Sequence, residues 1–256
     1  LLTYVLNYLL MAVRIIGDRE DEINAFIPKE YWTLEADLKI PGEKKPLVAK
    51  FHGKGSEKMA VETKEQLDEI LKGLENETFT VSEVKKGERS KKAPLPFTTS
   101  TLQQEASKVL NFSTQKTMRL AQQLYEGVEV KGRGTIALIS YLRTDSTRIS
   151  EEADAAARSF IQEQYGTKYT ASGDTTENKN SKAQDAHEAI RPTDVTNIPV
   201  MVKESLPRDL FRLYQLIWKR FVASRMQPAV YETISARINA GEYLFTAASS
   251  RLAFDG

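Results

Sequence analysis

The stretch TIALISYLRTDSTRIS, residues 135–150, organises the rest of this 256-residue chain. It begins with a short apolar run, residues 136–139, which has the character of a buried or strand-like element. Tyr141, Arg143 and Asp145 follow at once, so a phenol, a guanidinium and a carboxylate stand at the edge of a rigid element, where side chains are easiest to position. The stretch is therefore the first candidate for a functional site.

These residue types suit the chemistry of phosphate esters. A free phenol has a pKa of about 10, so Tyr141 can attack phosphorus at neutral pH only if positive charge or a base favours its anion. Arg143 supplies such a charge, and its planar fork also fits two phosphate oxygens. Asp145 would orient Arg143 through a salt bridge, while Ser146 or Thr147 would cap the next helix or contact phosphate. The same residues also fit a plainer interpretation, in which Tyr141 is a core aromatic with a solvated hydroxyl and Arg143 simply pairs with Asp145.

Four ordered segments resemble the type IA DNA topoisomerases, in particular the bacterial topoisomerase I branch. The run YLRTDSTRIS is similar to the family's nucleophile motif, whose tyrosine becomes joined to a 5′ phosphate of DNA. Three other segments agree with the family: PLPFTTSTLQQEAS (residues 94–107), TMRLAQQLYEG (117–127) and AQDAHEAIRPTDV (183–195). The resemblance runs from about Ala12 to the C-terminus. It fails over residues 1–11, where the family carries an arginine-valine-glutamine-serine run close to DNA.

The resemblance implies a function. One DNA strand is cut by Tyr141, another strand passes through the gap, and the original 3′ hydroxyl reverses the reaction, so negatively supercoiled DNA is relaxed without a nucleotide cofactor. Tyr141 and Arg143 are then the catalytic residues. Five further residues form the expected DNA-binding set: His187, Arg191, Arg133, Asp145 and Thr147. For His187, a structural hydrogen bond is the plainer interpretation.

The family's metal site is expected to lie elsewhere. In these enzymes the acidic residues that bind Mg²⁺ and a lysine that completes the site belong to a Toprim domain, and no segment of this chain matches its acidic motif. We therefore expect a central fragment that lacks this domain and the remaining C-terminal segments, binds no metal or other cofactor itself, and relaxes no DNA when isolated. The expected partner is a single-stranded segment of DNA rather than a membrane, and the expected location is cytoplasmic, at the bacterial nucleoid.

Two other functions would also use an exposed tyrosine. A non-catalytic module that binds single-stranded DNA would use Tyr141 only to stack on bases. A tyrosine recombinase would also form a phosphotyrosine bond, but it normally needs a spread set of arginines and histidine with its tyrosine near the C-terminus. Tyr141 lies in mid-chain, which argues against the recombinase.

Composition limits the function only broadly. The net charge is +1, so any nucleic-acid surface must be a local patch. The chain has no cysteine, which excludes disulfides and cysteine-ligated metals, and it has no P-loop or G-x-G-x-x-G run. Asn7 and Arg14 interrupt the apolar first sixteen residues, so we interpret them as a helix that lacks its packing partner and not as a membrane segment.

The hydrophobic periodicities predict an α+β fold. Alternation predicts antiparallel strands over residues 31–40, 47–51, 59–61 and 79–81 and again after residue 228. Helical stripes predict the helices, with starts at Thr63, Ser100, Ser113 and Ser150 and a strongly amphipathic helix over residues 207–226. In the helix after Ser113, either Leu124 or Tyr125 continues the apolar stripe.

Three polar segments are harder to assign. The basic run KKGERSKK, residues 85–92, is interpreted as a solvated connection or, alternatively, as a contact to the phosphate backbone. Residues 166–182 are long and polar enough for a mobile lid. A helix ending before Pro192 would place His187 and Arg191 on one face.

We predict four segments in the domain organisation. An N-terminal helical remnant, residues 1–27, precedes a discontinuous antiparallel β hinge domain formed by residues 28–96 and 197–256. A mainly helical domain, residues 97–196, is inserted into it and carries the nucleophile. The resemblance implies that these two domains form the arch of the topoisomerase ring.

Overall fold

The computed structural model describes residues 2–171 and 187–256, without the side chains of residues 2–9. It combines helices with antiparallel strands, which confirms the predicted α+β class. The predicted lid falls largely outside the described residues. In chain order the main elements are α1 (Leu2–Ala25), β1 (Glu35–Leu38), β2 (Leu47–Lys54), β3 (Glu57–Lys58), α2 (Lys64–Leu74), β4 (Thr80–Lys91), α3 (Thr99–Glu105, continued by a π-helical turn, Ala106–Leu110), α4 (Thr114–Glu126), β5 (Val128–Val130), β6 (Gly134–Ile136), α5 (Glu151–Tyr165), α6 (Pro199–Val202), α7 (Arg208–Ala223), β7 (Ala229–Ala240) and β8 (Tyr243–Phe254).

The larger sheet has the strand order β1-β2-β8-β7-β4, with β3 paired to β2. β1 and β2 are antiparallel, with Glu35 opposite Lys50. Residues of β1 alternate between exposed and half-buried, as the period of two in the sequence predicts. The turn between β7 and β8 contains Gly241 at φ +55°, a backbone conformation that favours glycine. β5 and β6 form a separate two-stranded sheet.

One hydrophobic core lies between the larger sheet and α2. Ile70 of α2 belongs to the same buried cluster as Ala49 and Phe245 of the sheet. The helix starts where its sequence predicts: the Thr63 side chain accepts a bond from the Gln66 backbone N–H, and the Gln66 side chain accepts one from the Thr63 N–H. This reciprocal capping satisfies two backbone donors that a helix start otherwise leaves unpaired.

A second core is built around α7. Its predicted apolar stripe is buried over the whole helix: Leu210, Leu213, Tyr214, Ile217, Trp218, Phe221 and Val222. The polar ends of the two largest aromatics find backbone partners, since the Tyr214 hydroxyl donates to the Asn197 carbonyl and Trp218 Nε1 donates to the Val195 carbonyl at 2.9 Å. Burial raises the pKa of the Tyr214 phenol above its ordinary value.

Contacts along the chain divide it into two compact units. One comprises Leu1–Lys86 and Ile234–Ser249, and the other comprises Gly87–Thr233 and Ser250–Gly256. Both are discontinuous. The division differs from the predicted domain boundaries mainly over residues 197–233, because α7 packs its stripe into the helical core of the second unit.

The prediction of a connecting loop at KKGERSKK is wrong, although residues 85–92 are solvent-exposed as expected. Residues 85–91 continue β4, which is paired with β7. Within the second unit, the Arg89 guanidinium lies 5.3 Å from the centre of the Tyr231 ring. Backbone pairing with a strand that lies far away in the sequence overrides the polar composition of this run.

The prediction of a helix that ends before Pro192 is also wrong for residues 187–191, the part of that segment that the structure describes. The Ala189 N–H donates to the Arg148 carbonyl at 2.8 Å, and the Ile190 N–H donates to the Phe97 carbonyl at 2.8 Å. These donors pair with distant segments instead of with a preceding helical turn. His187 and Arg191 therefore do not share a helix face.

Helix starts on the second unit agree with the sequence at two of three positions. Ser113 caps α4 and Ser150 caps α5, each accepting a bond from the N–H three residues on. For α3 the predicted cap, Ser100, is wrong, since Thr98 caps the helix in a reciprocal pair with Thr101. Threonine and serine are near-equivalent caps, so a run of four hydroxyl residues, 98–101, leaves the starting position ambiguous.

The N-terminal helix predicted within residues 1–27 is confirmed: α1 extends over 24 residues, Leu2–Ala25. Its described side chains, from residue 10 onward, are exposed. Among the residues that the structure describes, no helix combines the length and apolar character needed to span a membrane.

A buried ionic cluster joins α5 to the end of α7. Arg225 is only 2% exposed, and its Nη1 donates to Asp154 Oδ1 at 3.0 Å. Asp154 also accepts a bond from Arg158 Nε at 2.6 Å. Burial opposes ionisation of Asp154, but the two guanidinium groups outweigh it and lower the pKa of the carboxyl. The carboxylate thus neutralises a cation that has almost no access to water.

We expect Asp154→Asn to lower the free energy of unfolding by about 2–4 kcal/mol, because it leaves the buried Arg225 without a countercharge. Since the folded-state pKa of Asp154 lies below its unfolded value of about 4, this stabilisation is complete above that pH and is lost as the pH falls through the lower, folded value. Urea denaturation at pH 7 and at pH 3 measures both effects. Glu163→Gln, on the exposed face of the same helix, is the control; equal losses in the two variants at pH 7 would contradict the assignment.

Candidate functional site

The motif YLRTDSTRIS, residues 141–150, forms an extended segment that belongs to no helix or strand, and the side chains of residues 141–146 alternate between exposed and buried. Tyr141, Arg143 and Asp145 are exposed. The three residues between and after them are buried: Leu142, Thr144 and Ser146. This alternation presents the phenol, the guanidinium and the carboxylate to solvent from one anchored backbone, as the order of residue types in the sequence suggests.

Thr99, the first residue of α3, holds this backbone. Its hydroxyl donates to the Leu142 carbonyl at 2.7 Å and lies 3.1 Å from the Thr144 carbonyl. The same oxygen accepts a bond from the Thr144 N–H at 2.9 Å, and the Thr99 N–H donates to the Thr144 carbonyl at 2.9 Å. One threonine therefore satisfies backbone groups on either side of Arg143, which a segment without strand partners would otherwise leave unpaired.

The buried hydroxyls of the motif bond within the motif itself. Thr144 Oγ1 accepts a bond from the Ser146 N–H at 3.0 Å, and Ser146 Oγ accepts one from the Arg148 N–H at 3.2 Å. Such bonds from a side chain to the backbone two residues on stabilise a turn without a helix. The suggestion that Ser146 caps the next helix is therefore wrong, because that cap is Ser150. Thr147 is half-exposed.

The run that leads into Tyr141 is held from two directions. On one side, the Leu138 N–H donates to the Leu124 carbonyl near the end of α4, at 2.8 Å. On the other, the Ser140 N–H donates to the Arg191 carbonyl at 2.9 Å, while the Ser140 hydroxyl donates to the Ala189 carbonyl at 2.8 Å. The backbone immediately before the tyrosine is thus fixed between the end of α4 and residues 189–191.

The Tyr141 ring lies at the surface between two other rings. The side chain is 38% exposed, which rules out the interpretation of Tyr141 as a core aromatic. Tyr125 makes an edge-to-face contact, with ring centres 5.6 Å apart and planes at 69°. His187 stacks on Tyr141, with centres 5.2 Å apart and planes at 29°. The phenol is therefore accessible while its ring has neighbours on two sides.

Arg143 and Asp145 do not form the predicted salt bridge: within residues 2–171 and 187–256, no ion pair joins them. Both side chains are exposed. A surface ion pair contributes at most about 1 kcal/mol, so its absence costs the fold little. The guanidinium can therefore accept an anionic ligand without first giving up a carboxylate of this motif.

Arg191 is engaged in a different way. Its side chain is 16% exposed; Nη2 lies 2.7 Å from Glu188 Oε2, Nε donates to the same oxygen at 2.8 Å, and Nη1 donates to the Pro192 carbonyl at 3.0 Å. Burial opposes ionisation of Glu188, but the Arg191 guanidinium more than compensates and lowers the pKa of the carboxyl. Arg191 thus stabilises residues 188–192 through contacts within that segment.

Arg133, another residue of the predicted DNA-binding set, has a partner away from Tyr141. The Arg133 guanidinium donates to the Asn197 side chain. Of the predicted set, the structure brings His187 into direct contact with Tyr141. Across the residues that the structure describes, no three histidine, aspartate or glutamate side chains gather in an arrangement that could hold a metal ion.

Tyr125 is the site residue that sequence reasoning missed. Helical periodicity allows either Leu124 or Tyr125 to face the core, and the structure buries Leu124 completely while Tyr125 remains 37% exposed. The only signal in the sequence was this one-residue ambiguity in the phase of the helix. It could not reveal that the outward-facing ring meets Tyr141, because the two lie on different elements.

Comparisons with known proteins agree with the motifs. The family model described as DNA topoisomerase matches residues 10–256. The fold is similar to that of full-length topoisomerase I from Thermotoga maritima, with 40% sequence identity and a TM-score of 0.75. This match covers 95% of the present chain and 38% of the Thermotoga chain, so the present chain spans well under half the length of that enzyme.

We expect Thr99→Val to destabilise the motif, because it removes the hydroxyl that accepts the Thr144 N–H and leaves a buried donor unpaired, at a cost of about 1–3 kcal/mol. Hydrogen exchange of the Thr144 amide should accelerate about tenfold or more, since local opening becomes easier. Thr114→Val, at an exposed threonine, is the control. Unchanged exchange at Thr144 in the Thr99 variant would show that the hydroxyl does not anchor this segment.

Proposed function

The chain belongs to the DNA topoisomerase family, and on that basis we propose that it carries the nucleophile of a type IA enzyme that relaxes negatively supercoiled DNA. The observation that carries the proposal is the position of Tyr141. Its backbone is fixed on both sides by hydrogen bonds, and its phenol is nevertheless exposed, two residues before Arg143, which forms no ion pair with the described residues. A nucleophile needs both properties, because it must be accessible to a large substrate and held in a fixed orientation.

In the proposed reaction the phenolic oxygen of Tyr141 attacks a DNA phosphorus. A bond forms between that oxygen and phosphorus, the bond from phosphorus to the 3′ oxygen of the preceding sugar breaks, and the proton lost by the phenol is balanced by one gained on the 3′ oxygen. Arg143 binds the phosphate and offsets the negative charge that develops on its oxygens. Because one phosphodiester replaces another, the freed 3′ hydroxyl can reverse the reaction after a second strand has passed, and no nucleotide is consumed.

We assign the DNA contacts to the predicted set. His187, which stacks on the Tyr141 ring, is the best supported because it already lies at the nucleophile. Asp145 and Thr147 follow Tyr141 in the same surface segment. Arg133 and Arg191 would have to exchange their present protein partners for phosphate, so their contributions to binding should be smaller. The substrate is single-stranded DNA in this proposal.

Magnesium enters the proposal only as a property of the family. The described residues of this chain do not fit a metal site, so no step is assigned to the ion here. In the family's Toprim domain it would be held by acidic residues. By the same resemblance, the β portion of the fold would act as the hinge of the arch that admits the second strand.

A non-catalytic module for single-stranded DNA is the second candidate. It is favoured by one observation, the cluster of exposed or half-exposed rings formed by Tyr125, Tyr141 and His187. Adjacent aromatic faces of this kind stack on unpaired bases, at about 1–3 kcal/mol per base. This function needs the ring of Tyr141 but not its hydroxyl.

The two candidates are separated by Tyr141→Phe in the full-length protein that carries this chain. We expect the variant to form no covalent adduct and to relax no DNA, while its affinity for a single-stranded oligonucleotide stays within about twofold because the ring is kept. Denaturing gels with a 3′-labelled oligonucleotide detect the adduct, because the fragment downstream of the cut stays attached through its 5′ phosphate. An adduct formed by the phenylalanine variant, or none formed by the wild type, would refute the assignment of Tyr141 as nucleophile.

For the isolated 256-residue chain, we expect no relaxation of supercoiled DNA in the presence of magnesium. The reason is that the family's acid/base groups and metal site are those of the Toprim domain, to which no motif of this chain corresponds. A relaxation assay on agarose gels, with an active topoisomerase as positive control, measures this. Robust, magnesium-dependent relaxation by the isolated chain would show that it contains a complete site.

A further inference from the structure

Tyr125 is rigidly placed relative to Tyr141. It lies in the last turn of α4, directly after Leu124, whose side chain is fully buried and whose carbonyl accepts the Leu138 N–H. Leu138 is only three residues before Tyr141 in the chain. The helix end and the nucleophile segment are therefore joined by a backbone hydrogen bond beside the point where the two tyrosine rings meet.

The two rings have the geometry of a stabilising aromatic pair. Their centres are 5.6 Å apart and their planes make an angle of 69°, so the edge of one ring faces the π surface of the other. His187 occupies another side of Tyr141, stacked at 29°. A tyrosine with a solvated hydroxyl would otherwise be free to rotate about both side-chain torsions. Contacts with two neighbouring rings restrict this rotation.

We propose that Tyr125 is a positioning residue for the nucleophile: its ring holds the Tyr141 ring edge-to-face and so directs the phenolic oxygen. The inference rests on the proposed function, because positioning has a kinetic meaning only if Tyr141 attacks phosphorus. Tyr125 itself makes no bond to the reacting atoms. The hydroxyl of Tyr125 has no part in this role, so a phenylalanine at the position retains it.

A different role for Tyr125 would follow from its 37% exposure. An exposed ring beside the cut site could stack on a DNA base, which would contribute to affinity and not to the orientation of the nucleophile. The two roles act on different quantities. Positioning affects the rate of attack by bound enzyme, whereas base stacking affects the dissociation constant for DNA.

The test is single-turnover cleavage of a labelled single-stranded oligonucleotide by the full-length protein that carries this chain. We expect Tyr125→Ala to lower the rate constant of adduct formation about three- to tenfold, the factor that corresponds to losing one aromatic pair. The final yield of adduct and the dissociation constant should stay within about twofold of wild type, and Tyr125→Phe should restore the rate constant to within the same limit. Tyr165→Ala is the matched control, since Tyr165 is also a partly exposed tyrosine in the last turn of a helix, with ring contacts to Phe160 and Tyr169.

Each result separates one explanation from another. A lower adduct yield at an unchanged rate constant would mean that Tyr125→Ala reduces the folded fraction. A larger dissociation constant for DNA at an unchanged rate constant would mean that Tyr125 stacks on a base. Either result overturns the positioning role. Wild-type protein that forms no adduct would overturn the proposed function and this inference with it.

A second measurement needs no catalysis. Nitration of Tyr141 by tetranitromethane, followed by mass spectrometry of the folded protein, should rise in Tyr125→Ala and stay at the wild-type level in Tyr125→Phe and Tyr165→Ala. Equal nitration of Tyr141 in all four proteins would show that the Tyr125 ring does not constrain it.

Discussion

The structure of this site depends on how an extended segment satisfies its backbone without belonging to a sheet. Residues 138–148 pair their N–H and carbonyl groups with three separate segments and with their own hydroxyls. Buried backbone groups must be paired somewhere, and here each pairing also fixes the chain against a rigid element. Because alternate side chains are then buried, the remaining ones are forced outward. The exposure of Tyr141 and Arg143 is a consequence of this pairing.

The same requirement explains the residue types around the motif. Thr99 uses both functions of its hydroxyl, accepting from one backbone group and donating to another, which neither valine nor alanine could do. Ser140 does likewise, donating to Ala189 and accepting from the Arg191 N–H. The hydroxyl groups of Thr99 and Ser140 thus form hydrogen bonds with backbone groups. The chemistry of the surface is left to the phenol, the guanidinium and the imidazole.

Local patterns predicted what local physics decides. The apolar stripe of α7, the reciprocal cap at Thr63 and the cap at Ser150 were readable because their partners lie within a few residues. Two segments that pair with distant parts of the chain were predicted wrongly: residues 85–91 form a strand because they continue β4, which pairs with β7, and residues 189–191 bond to Phe97, Ser140 and Arg148 and form no helix. Family resemblance supplied Tyr141 and His187 together, but their ring contact with Tyr125 depends on tertiary structure. That contact could not be derived from spacing along the chain.

Three arginines of the second unit differ in what they must give up to bind an anion. Arg191 forms three contacts within its own loop, and Arg225 is almost completely buried against Asp154. For either one, binding phosphate would first mean breaking a partly desolvated pair, which costs several times what an exposed pair would. Arg143 has no carboxylate partner among the described residues, so phosphate would break no ion pair with any of them. An exposed arginine with no carboxylate partner among the described residues costs the fold little, and in the proposed reaction its charge would offset the negative charge that develops on the phosphate.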